Sequence, residues 1–183
     1  VASDIGALGV LIGVASSGAV GAPHIERGVR ICEAIAITGR PVSVLVALKA
    51  FKALRIFARS GVASADCLSR VMGSAIGLLK TQQLASLAKL EALTVFQEIA
   101  ANRASTFGLL TSALPEVERV ANWCTPECVE QAQMALVAIT LSFTSTRFAE
   151  LGERRAAQVV RSLLSVASRS RGRLVFPRAA ALC

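Results

Sequence analysis

Lys49, Lys52, Arg55 and Arg59 are the residues whose type and spacing most plainly suggest chemistry. They recur at intervals of three and four in the stretch RPVSVLVALKAFKALRIFARSG, from Arg40 to Gly61, which holds no acid. On a helical wheel they fall within a sector of about 120°. Val46, Ala50, Ala53, Leu54 and Phe57 lie roughly opposite. One face is therefore expected to be core, and the other a cationic stripe with Leu45, Leu48 and Ile56 set into it. A helix that is merely solvated usually interleaves both signs, because Glu–Lys pairs one turn apart support it. Cations among apolar side chains suit an anionic surface. Their long stems snorkel at a lipid interface, and a phosphate backbone takes cations without base contacts.

A second basic block, ERRAAQVVRSLLSVASRSRGR, places Arg154, Arg161 and Arg169 along one side of a helix and its exit, with Arg171 and Arg173 beyond it. It reads as an electrostatic arm for RNA or lipid headgroups, or as a solvated tail.

Patterns for covalent and metal chemistry are thin. The single histidine, His24, stands in GAPHIERG at a helix start, where a structural role is the ordinary one. Nothing nearby marks a nucleophile for it to activate. GLLKT, ending at Thr81, lacks the first glycine of a phosphate loop and a preceding strand. Ser86 to Lys89 spells Ser-x-x-Lys without its companion motifs. Cys124 and Cys128, four apart in WCTPEC, would need distant partners to complete a zinc site, so buried thiols are the expectation. Glu127, Glu130, Glu150 and Glu153 read as a solvated or interface face. No enzyme activity and no cofactor is expected.

The elements that must position the cations follow from composition and turn chemistry. Apolar residues make up 54% of the 183 positions, aromatics only 4%, and tyrosine is absent. Strands favour aromatic and β-branched residues. Ala, Leu, Val and Ile must do the packing, and an all-α fold is expected. Pro23 and Gly39 bracket one helix, Pro41 and Gly61 the next. Ser64 can cap a helix to about Leu79, and Thr81 one to about Ala101. Short pieces are expected from Ser105 and from Pro115. Thr125 and Pro126 form a strong start signal for a helix to about Leu151, with another from Glu153 to about Ser168. With residues 1–22 the expectation is a compact bundle of about nine helices in two lobes, 1–104 and 105–170, and a loose basic tail, 171–183. Residues 1–22 are nearly uncharged and lack the basic start of a signal peptide. They read as a Gly/Ala-rich core helix, the alternative being a membrane-inserting segment; Gly9 and Gly13 make a GxxxG.

The net charge of +8 is unevenly spread. Ala34 to Leu90 carries eight Lys/Arg and one acid, Asp66; Glu91 to Glu153 carries eight acids and three Arg; from Arg154 onward there are seven Arg and no acid. The acidic middle could pair with the basic ends within one molecule or between neighbours. The sign favours nucleic acid or anionic lipid as a partner. Five cysteines with no scaffold spacing fit reduced thiols in an intracellular or virion-interior setting.

The segments SGVASADCLSRVMGSAIGLL, from Ser60 to Leu79, and NWCTPECVEQAQ resemble, in overall character, viral matrix proteins of the orthomyxovirus type. The similarity covers about half the chain; the absence of Tyr, the scarcity of Met and the lack of a Cys/His cluster depart from the influenza members. The resemblance implies a helical protein that coats an inner leaflet through a basic face, associates with itself into a lattice and touches ribonucleoprotein. The expectation is thus a structural protein binding an anionic membrane surface. The alternatives are a nucleic-acid-coating capsid protein, or an integral or pore-forming protein using residues 1–22 and 42–60.

Overall fold

The computed structural model describes residues 2–16, 21–37, 43–80, 86–122 and 126–141, together with Ala157, Val160, Arg161 and Leu164. The described part is a compact all-α bundle of seven helices, and no strand occurs among the described residues. The helices are α1 (Ala2–Ser16), α2 (Ala22–Ile37), α3 (Val44–Arg59), α4 (Ala65–Lys80), α5 (Ser86–Ala101), α6 (Phe107–Asn122) and α7 (Pro126–Leu141).

Capping chemistry sets several of these ends. Ser43 is the N-cap of α3, its side chain accepting from the Val46 N–H at 3.4 Å. Ser64 Oγ accepts from the Cys67 N–H at 3.1 Å and so caps α4 as its position in the sequence suggests. Pro126 begins α7, where its missing N–H costs nothing. Between α5 and α6, Asn102 ties its own turn to the end of α3. Its side-chain amide donates to the carbonyls of Ala58 (2.7 Å) and Ser60 (3.1 Å) at the end of α3, and its oxygen accepts from the Ala104 N–H at 2.9 Å. The Ser105 hydroxyl closes α5 by donating to the Ile99 carbonyl.

Pro115 departs from expectation. It lies inside α6 rather than at the start of a separate helix, so the two short pieces read from the sequence are one element. Proline in a helix interior costs about 3 kcal/mol, because the carbonyl of Thr111 loses its donor. Leu110, Leu114, Val117 and Val120 are all buried on both sides of it, at ~1.5–3 kcal/mol each, while Pro115 itself faces solvent. Burial outweighs the break.

α3 and α5 form the central pair. α1 lies on the outer side of α3 and α7 on that of α5; α2 and α4 pack on each other and against α3, and α6 bridges α4, α5 and α7. One continuous apolar cluster runs from Leu8 to Ile139, with Phe51, Phe57 and Phe96 its largest fully buried side chains. Small residues bring helices close. The Phe57 ring occupies the space a side chain would need at Gly28 of α2, and a methyl on Gly77 of α4 would lie 3.3 Å from Ala36 Cβ.

Candidate functional site

The core face of α3 comprises Val46, Ala47, Ala50, Phe51, Ala53, Leu54, Phe57 and Ala58, all buried. What remains is a narrow strip between α1 and α5, and all four expected cations lie on it. They do not have equal freedom. Lys49 is half-buried beside α1, its Nζ 3.9 Å from where a methyl on Gly9 would stand. Lys52 and Arg59 are exposed. Arg55 Nη1 donates to Glu91 Oε2 on α5 at 3.3 Å, and this pair is partly open to water, with side chains 39% and 18% exposed. Among the described residues, no carboxylate pairs with Lys49, Lys52 or Arg59. Of the apolar residues on the strip, Leu45 is 54% exposed, whereas Leu48 rests against the core and Ile56 is half-buried.

Arg103 is a further cation at this strip's end that the sequence pattern does not reveal. It follows Asn102, whose amide holds the carbonyls on either side of Arg59, so the two arginines sit at one end of α3. Arg103 is exposed. The signal for this placement is a hydrogen bond between residues 44 apart, which no local periodicity reports.

Other cations of the basic block are spent inside the molecule. Arg70 on α4 grips Glu33 on α2 with two bonds, Nε to Oε1 at 2.8 Å and Nη2 to Oε2 at 2.5 Å. Donating these hydrogen bonds to the Glu33 carboxylate raises the Arg70 pKa above its usual value. Glu116, nearly buried on α6, meets Lys80 at 3.7 Å and Arg119 at 2.7 Å, and Arg119 also donates to the Leu79 carbonyl at the end of α4. So Glu91 and Glu116 of the acidic middle pair with the basic block within one chain.

From the second basic block, Arg161 is exposed on a helical stretch and donates from Nε to the Ala157 carbonyl at 3.2 Å. Arg154, Arg169, Arg171 and Arg173 lie outside the described residues. The side chains of Cys124 and Cys128 do so as well. Cys32 and Cys67 are buried free thiols. Burial, with the nearby Glu33 carboxylate, pushes the Cys32 thiol up to about 12, and burial also raises Cys67. Neither is poised as a nucleophile. Among the described residues no cluster of three His, Cys, Asp or Glu could hold a metal, and no helix is long and apolar enough to cross a membrane.

No protein-family model matches the chain, and no curated protein matches it.

Proposed function

We propose that the chain is a non-enzymatic structural protein that binds an anionic membrane surface through the α3 strip and assembles with itself. The observation that carries this reading is the exposed set Lys52 and Arg59, with Lys49 beside them, left without carboxylate partners among the described residues on a strip that also presents Leu45. Each cation held near an anionic leaflet contributes about 1 kcal/mol. A few such contacts are weak alone and become useful when many copies bind together. In this reading residues 1–104 form the lobe that meets the surface and residues 105–170 a second lobe. The arginine tail 171–183 adds a second electrostatic contact, to lipid headgroups or ribonucleoprotein, in a membrane-associated or virion-interior setting.

Cosedimentation of the full chain with phosphatidylserine-containing and with pure phosphatidylcholine vesicles, at low and high salt, tests it. The expected result is recovery with the anionic vesicles alone, lost as salt rises. Equal, salt-insensitive recovery with both removes the proposal. RNA binding in place of vesicle binding, with a salt slope that shrinks on removal of residues 169–183, would favour the nucleic-acid-coating alternative.

A further inference from the structure

α1 carries no charge from Ile5 onward, and the chain stays uncharged through Pro23. A helix apolar on all sides is ordinarily enclosed on all sides. Here Leu8 is buried, whereas Val10 and Val14 are 67% and 43% exposed. Between this open flank and α2 runs a groove of about 390 Å³, within the range of small-molecule sites. Its walls are Val10, Leu11 and Val14 of α1 and Ile31 of α2, and Phe57 lines it from α3. Phe57 comes this close to α2 because Gly28 leaves room for its ring.

The polar groups of the groove are two. His24 and Arg27, both exposed on α2, line it together with the apolar residues. Among the described residues no carboxylate pairs with either. The acids of α2 lie on another side, where Glu33 is held by Arg70 of α4. An apolar groove with Arg27 at its edge, which no carboxylate pairs with among the described residues, suits a hydrocarbon with a negative end. Among the described residues no acid lines the groove, so a two-fold contact of α1 on α1 would set His24 and Arg27 on both sides of the joint with no lining acid between them.

We propose that this groove binds one unbranched acyl chain bearing a carboxylate, its hydrocarbon between Val10, Leu11 and Val14 of α1 and Ile31 of α2 and its head at Arg27. The proposal concerns a different surface from the α3 strip and does not require that strip to bind vesicles.

Titration calorimetry of the full chain with dodecanoate, kept below its micelle threshold, provides the test. Saturable binding of one dodecanoate per chain is expected. Arg27→Gln should weaken it about tenfold, as loss of a charge-assisted contact does, and dodecanol should bind the wild type correspondingly more weakly. Val14→Gln, at an exposed position that leaves the fold intact, should weaken dodecanoate about fivefold or more by putting an amide in the trough. Lys52→Gln should leave it unchanged, which separates this site from the vesicle-binding strip. Absence of saturable binding would overturn the proposal. So would equal affinity for dodecanol together with indifference to Arg27→Gln, or a sedimentation-detected dimer that Val14→Gln dissolves and dodecanoate does not.

Discussion

At the scale of single residues, burial decides what a reactive group can do. Cys32 is fully enclosed between α2 and α3, its Sγ 4.0 Å from the Ala50 carbonyl, and its thiol is pushed from 9.0 to about 12. The folded chain therefore keeps a proton that the unfolded chain releases above about pH 9. Stability from this group is complete below pH 9 and declines as pH rises toward 12, by at most about 1.4 kcal/mol per pH unit. Urea unfolding of wild type and Cys32→Val between about pH 8 and 10.5 should show the wild type losing stability relative to the variant at the alkaline end. A constant difference across that range would mean that the thiol ionises equally in both states. The same scale shows why the cationic stripe was only partly legible. The wheel placed Arg55 with its neighbours correctly, but its carboxylate, Glu91, lies 36 residues away and belongs to another helix. Periodicity within α3 carries no information about that partner.

At the scale of elements, helix existence was readable because turn chemistry is local. Ser64, Gly61 and Pro126 marked ends through groups they themselves supply or lack. Pro115 was misread by the same logic, since the burial that carries α6 through it comes from other helices. The close approach of α2 to α3 was equally hidden: Gly28 looks like a weak point in a helix, yet it makes room for Phe57. Gly28→Ala should therefore destabilise the chain by about 1–3 kcal/mol, although alanine is the better helix former. Phe57→Leu in the same chain should restore part of the loss, giving a favourable coupling in a double-mutant cycle. A stabilised Gly28→Ala variant in urea would show that the ring is free to move aside and that helix propensity dominates at this position.

At the scale of the whole molecule, what matters is how much of the positive charge remains available after the fold has used some of it. The chain carries +8, but Arg55, Arg70 and Lys80 are each matched by an acid on a neighbouring helix, joining α3 to α5, α4 to α2 and α4 to α6. If the α3 strip binds an anionic surface as proposed, internal pairing and that binding compete for the same cations, and the competition has a sign that can be measured. Glu91 sits beside the α3 strip, holding Arg55 and contributing a negative charge of its own. Glu91→Gln removes that charge and frees Arg55, which for a partly solvent-exposed pair costs the fold about 1 kcal/mol or less. Its affinity for phosphatidylserine vesicles should rise about fivefold, as one added cation near the leaflet predicts, while Lys52→Gln should lower affinity by a similar factor. Both changes should vanish at high salt, because they act through screened charge. If Glu91→Gln and Lys52→Gln shift vesicle binding in the same direction, or not at all, the strip is not the surface that meets lipid, and charge elsewhere on the chain must account for any binding seen.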